Sequence, residues 1–163
     1  MISYITGTVL DKLPTELTIL TGGVGYQVAV PARVSAEVKL EAQVNLYIYT
    51  HVREDALALF GFTDKQDKQL FTQLISVSGI GPKTALGILS AASADQIEAA
   101  VREADVDFFA AISGIGHKSA QRIIVDLKSK LGTIKELDLS ETDSSAHLAL
   151  KSPGFSREEA KEA

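Results

Sequence analysis

Residues 77–89, VSGIGPKTALGIL, recur 35 positions later as ISGIGHKSAQRII at 112–124. Ser78, Gly79, Ile80, Gly81, Lys83 and Ala85 map onto Ser113, Gly114, Ile115, Gly116, Lys118 and Ala120. A repeat of this kind has to build the same supersecondary unit twice. Each copy follows one apolar helical stretch and opens another, so the unit reads as helix, Gly-x-Gly hairpin, helix. This predicts an all-helical domain with tandem helix-hairpin-helix motifs.

The residue types suit one chemistry. Glycine adopts positive φ and lets a ligand approach bare backbone, and amides at a helix start attract anions. Ile80 and Ile115 are the inward anchors. Lys83 and Lys118 fall in the first turn of the following helix, where a cation opposes the helix dipole unless an anion is near. The candidate DNA-contacting set is therefore Gly79, Ile80, Gly81, Lys83 and Thr84 in the first copy, and Gly114, Ile115, Gly116, His117, Lys118, Ser119 and Arg122 in the second. One such hairpin could merely join two helices; two matching copies make that reading weak. Gly81-Pro82-Lys83-Thr84 and Gly116-His117-Lys118-Ser119 are not phosphate-binding loops of the nucleotide kind. A residue separates Gly from Lys, and the earlier glycine is missing. Amides bound to phosphates read no base sequence, and so few contacts bind weakly, which calls for oligomerisation or a partner.

The rest of the chain supports this placement. The formal net charge is −5, yet residues 64–132 hold eight basic and eight acidic side chains, and 112–132 hold Lys118, Arg122, Lys128 and Lys130 against Asp126. Residues 1–62 read as short strands: Ile2 to Leu10, Glu16 to Leu20, Val24 to Val30, a stretch where Val44, Leu46 and Ile48 alternate with Asn45, Tyr47 and Tyr49, and Ala56 to Phe62. So few strands hide their edges best by closing, which predicts a five-stranded β-barrel of the oligonucleotide-binding (OB) type. Residues 63–132 are the helical domain, with start signals at Thr63/Gln66 and Ser93/Gln96, a core stripe of Leu70, Phe71, Leu74 and Ile75, and a stop at Gly132. Residues 133–145 read as an acidic flexible linker. Residues 146–163 read as an incomplete C-terminal helical module. The fold class is thus α+β and multidomain. The chain has no cysteine, which excludes a disulfide scaffold and a cysteine-based zinc site. No cofactor or metal is expected. No stretch approaches the ~20 apolar residues that cross a bilayer, so a soluble cytoplasmic protein with no membrane partner is expected.

Ser-Gly-Ile-Gly-Pro-Lys at 78–83 and Ile-Ser-Gly-Ile-Gly-His-Lys-Ser-Ala at 112–120 follow Gly-Gly-Val-Gly-Tyr at 22–26, Thr-His-Val-Arg-Glu-Asp-Ala at 50–56, and Leu59, Phe60, Gly61 and Phe62. Over residues 1 to about 132, this arrangement closely resembles the RuvA family, the Holliday-junction-binding subunit of the bacterial branch migration complex. The resemblance implies a homotetramer, one or two per junction, that binds four-way junction DNA and loads a hexameric RuvB-type ATPase motor through a C-terminal module. A junction resolvase is a further implied partner. Glu54 and Asp55 would be an acidic pin at the crossover, where carboxylates repel phosphates. By the same resemblance, His117 stands where relatives commonly carry lysine. The shortened last module puts motor binding by this chain in question.

Rival readings are a general duplex-binding repair scaffold, a protein-interaction module, and a metal-dependent nuclease using Glu54 and Asp55. The last is the weakest, because adjacent carboxylates on a strand or turn point apart and no third ligand is evident. His51 reads as a structural strand-end histidine. Tyr47 and Tyr49 could stack bases, but read better as half-exposed or subunit-contact residues.

Overall fold

A computed structural model describes residues 1–130. The linker and C-terminal module expected at 133–163, and the stop at Gly132, lie outside the described residues. Met1–Lys128 form one compact unit.

Five strands, β1 (Tyr4–Leu13), β2 (Glu16–Thr21), β3 (Val24–Ala29), β4 (Gln43–Val52) and β5 (Leu57–Phe62), close into a barrel in the order β1-β2-β3-β5-β4. All pairings are antiparallel except the short β3·β5 pair that closes the ring, Val28 opposite Leu59 and Ala29 opposite Phe60. Alternation sends Ile5 and Val9, Leu17 and Ile19, and Val44, Leu46 and Ile48 inward. Closure at this size leaves little interior space. A Cβ built on Gly61 would lie 2.6 Å from Val28 Cγ1 and 2.9 Å from Leu46 Cδ1, so any side chain there would force its core neighbours to shift. The first strand runs on to Leu13, past the expected Leu10, by way of a register shift between Val9 and Asp11 that bends it around the barrel.

A helix absent from the sequence reading, α1 (Ala32–Glu37), bridges β3 and β4. Its C-terminal carbonyls accept from Lys12 Nζ, at 3.0 Å for Ser35 and 2.7 Å for Val38. A buried hydroxyl, Ser35 Oγ, donates to the Leu13 carbonyl at 2.6 Å.

Helices follow: α2 (Lys65–Ile75), α3 (Pro82–Ala91), α4 (Ala94–Glu103), α5 (Val106–Ala110) and α6 over 117–130. The start expected at Thr63 moves by one residue. Asp64 is the N-cap, its carboxylate accepting from the Asp67 amide at 2.7 Å, while Gln66 reaches instead to Asp95 and Glu98 of α4. A short carboxylate caps better than threonine in this place. The Ser93–Gln96 capping box is present as expected.

Strand β5 is buried on both faces from Leu59 to Phe62 because α2 covers its outer side. Phe71 of α2 is fully buried there, its ring 5.1 Å from Phe60, 5.0 Å from Phe62 and 5.5 Å from Tyr49. Leu70 and Leu74 share the core, and Ile75 is only half-buried. A polar stitch runs beside this cluster. Arg33 of α1 pairs with the buried Asp67 carboxylate and donates through Nε to the Leu89 carbonyl at 3.0 Å, and the Ala32 amide donates to Ser90 Oγ at 2.9 Å. The barrel and the first helices are thereby held as one body. No helix among the described residues is long and apolar enough to cross a membrane.

Candidate nucleic-acid interface

The two hairpins match bond for bond. After α2, the Val77 amide donates to the Leu74 carbonyl at 3.0 Å and the Ile80 amide to Val77 at 3.0 Å; after α5, Ile112 donates to Phe109 at 3.1 Å and Ile115 to Ile112 at 3.1 Å. Gly79 and Gly114 take φ of +87° and +85°, the left-handed region that side chains avoid. Ile80 and Ile115 are buried, as anchors must be. Each new helix starts on its second glycine, with Ala85 donating to the Gly81 carbonyl at 3.0 Å and Ala120 to Gly116 at 2.9 Å.

Those second glycines are not demanded by the fold. Gly81 has an extended backbone, φ −88° and ψ 171°, and a Cβ built at Gly81 or Gly116 meets nothing within 4 Å. Both are N-caps, a position that favours serine, threonine, aspartate or asparagine. Elsewhere in the helical region such residues are used: Asp64 caps α2, Ser93 caps α4 and Asp105 caps α5 through its side chain. Among the described residues of this region, α3 and α6, the helices that leave the hairpins, start on glycine, which has no side chain to cap with, and α3 has no side-chain hydrogen bond at its start. The first amides of a helix have no intrahelical partner and stand at its positive end, the arrangement that accepts phosphate oxygens.

The charged residues line up accordingly. Lys83 and Lys118 are the second residues of α3 and α6, and both are exposed, as is His117, while Thr84 and Ser119 are half-buried. Lys83 and Thr84 line one groove with Ser113 and Gly114, so the start of α3 and the second hairpin are neighbours. Arg122 is exposed too, but its Nη1 donates to the Ser78 carbonyl at 3.2 Å and so holds the first hairpin.

Glu54 and Asp55 occupy a separate place, the exposed tip of the β4–β5 turn, which the Arg53 amide closes by donating to the Ala56 carbonyl at 2.8 Å. His51 beside them accepts from Arg53 Nε at 3.0 Å. Among the described residues, no group of three or more His, Cys, Asp or Glu side chains could hold a metal ion. The tyrosines are spent on contacts within the chain: Tyr49 packs edge-on to Phe71, and Tyr47 packs against Tyr4 at 5.3 Å with Lys65 Nζ 5.8 Å from its ring centre. Sequence reasoning did not find Arg33 and Asp67, which hold the helices to the barrel, and no pattern marks a lone buried carboxylate within a polar stretch.

Residues 1–61 match the RuvA N terminal domain, and residues 71–130 match the SAM-like helix-hairpin-helix tandem. A protein of Oceanobacillus iheyensis named Holliday junction branch migration complex subunit RuvA is 39% identical over 174 aligned positions, spanning 99% of this chain and 87% of the relative. This chain belongs to the RuvA family. RuvA proteins of the same name from Laribacter hongkongensis and Solibacter usitatus are 40% and 43% identical, over 92% and 80% of this chain and 75% and 67% of their own lengths. The RuvA N terminal match ends one residue short of Phe62, where the barrel ends, and the tandem match contains both hairpins.

Proposed function

We propose that this chain binds four-way DNA junctions through their phosphate backbone, without reading sequence, as a non-catalytic scaffold for a separate ATP-driven branch migration motor. One observation carries the reading. Two hairpins of the same geometry each start a helix on a glycine that the fold does not need, with a lysine in that helix's first turn. The printed name of the relatives, a subunit of a Holliday junction branch migration complex, supports the choice of junction and of a complex.

In this reading residues 1–62 are the mount and 63–132 the gripping domain. Residues 133–145 are the linker and 146–163 the part that faces the motor. Each chain contributes few phosphate contacts, so four copies around one junction, singly or as facing tetramers, raise the effective affinity. Glu54 and Asp55 at the exposed turn tip keep phosphates away from the crossover by like-charge repulsion. ATP hydrolysis belongs to the hexameric partner, a resolvase acts on the same junction, and the setting is the cytoplasm.

The test is a gel-shift titration of a synthetic four-way junction against linear duplex of equal length, at low and moderate salt, with Lys83→Ala/Lys118→Ala as control. Junction preference that is lost in the double variant supports the proposal. Equal affinity for both DNAs replaces it with a general duplex scaffold, and no binding at low salt removes DNA from the account.

A further inference from the structure

Position 122 is where the two halves of the repeat differ most in chemistry. Its counterpart 35 residues earlier is Gly87. The pair sits at matching places on α3 and α6, and each faces the hairpin of the other copy. Arg122 Nη1 donates to the Ser78 carbonyl of the first hairpin at 3.2 Å. Gly87, in contrast, lines a groove of about 410 Å³ together with Ser113 and Gly114 of the second hairpin. A Cβ built on Gly79 would stand 3.9 Å from Arg122 Nη1, whereas one on Gly87 or Gly114 would meet nothing within 4 Å. The first hairpin thus carries an arm from the second unit, and the second hairpin has open space where the matching arm would reach.

We propose that Arg122 is a positioning residue: its guanidinium braces the first hairpin from α6, fixing the separation of the two phosphate cradles and leaving the second hairpin as the compliant one. The proposal rests on the hairpins being the DNA-binding elements. Cradles of backbone amides work only when held in place before the ligand arrives, because ordering them at the moment of binding reduces affinity. Arginine suits a brace on a carbonyl because its planar fork directs the donor and stays charged at any relevant pH. Ser78 immediately precedes the positive-φ glycine, so a bond to its carbonyl restrains the residue on which the turn pivots.

A brace and a direct phosphate contact give different results. Wild type, Arg122→Ala, Lys83→Ala and the double variant are titrated with one four-way junction over a series of salt concentrations, and amide hydrogen exchange is followed in the free proteins. A direct contact contributes about 0.9 to the slope of log affinity against log salt, so Lys83→Ala should flatten that slope. Arg122→Ala should weaken binding about three- to tenfold with the slope unchanged, as expected for loss of one solvent-exposed hydrogen bond. Its loss should shrink once Lys83 is already alanine, and without DNA it should speed exchange of the Ile80 amide but not of Ile115. The converse variant Gly87→Arg, which puts an arm into the open groove, should slow exchange at Ile115. Arg122→Ala that flattens the slope and leaves Ile80 exchange unaltered would overturn the brace and make Arg122 a phosphate ligand. If wild type binds no DNA the functional reading fails instead, and the exchange contrast between Ile80 and Ile115 still decides whether the brace exists.

Discussion

The guanidinium of Arg33 reaches from α1 to the carboxylate of Asp67 on α2, a side chain that is only 2% exposed. Burial pushes the Asp67 carboxyl above its usual range, and Arg33 pulls it part of the way back against that and against the neighbouring Asp64. A raised native value means that the folded state holds the proton more tightly than the unfolded chain does. The ionised carboxylate therefore costs stability, and this cost appears as pH rises through the native value.

Removing Arg33 strands that charge. Arg33→Ala should lower unfolding free energy by about 2–3 kcal/mol at pH 7, below the ~3–5 kcal/mol of a fully buried pair because the Arg33 side chain is 30% exposed. The deficit should shrink toward pH 4, where Asp67 in the variant takes up its proton. Urea unfolding at the two pH values measures this, and a deficit that grows in acid would contradict the assignment.

Serine at the two second glycines separates folding from binding. Gly81→Ser/Gly116→Ser supplies side-chain caps to α3 and α6, so thermal stability should hold or rise by a few tenths of a kcal/mol per site. Junction affinity should fall by about tenfold or more, because a Cβ and hydroxyl stand where phosphate would approach and compete for the same amides. A melting curve and a gel shift on the same preparation test both halves.

Gly61→Ala should have the opposite profile. The added methyl runs into Val28 and Leu46 inside the barrel, at a cost of about 1–3 kcal/mol for an overpacked core. Affinity measured on the folded fraction should be unchanged, since nothing at the hairpins is touched. Denaturant unfolding and a binding isotherm decide it.

His117 precedes Lys118 at the exposed start of α6. Lysine at 117 would add a permanent charge beside the second cradle. His117→Lys should raise affinity at low salt and steepen the salt dependence by up to about 0.9 in slope, with no effect on melting temperature.

Much of this was readable in the sequence, for physical reasons that apply to particular residues. The alternation in β4 is clean because one face meets the barrel core and the other is half exposed, and period two records that difference. The hairpins were legible because left-handed backbone at 79 and 114 needs glycine, and the repeat displays it twice. Strand β5 was harder to characterise: Leu59, Phe60, Gly61 and Phe62 are buried on both faces, so its pattern says strand but not what covers it. Helix α1 escaped because a six-residue helix carries too little periodicity, and its main fixings, Lys12 to two carbonyls and Arg33 to Asp67, are long-range. The bond from Arg122 to the Ser78 carbonyl was likewise invisible: a basic count places the residue with the other cations, and a partner 44 residues away depends on tertiary structure.

The uncapped starts at Gly81 and Gly116 also bear on how variation at these positions would be perceived. A library screened for expression or heat resistance would pass serine, threonine, aspartate and asparagine at either site as neutral or improved, since these residues cap helices and a Cβ added at either site meets nothing within 4 Å. On the proposed function, damage there would surface only when the nucleic acid is present. Tolerance in a folding assay is consequently no guide to importance at these two positions.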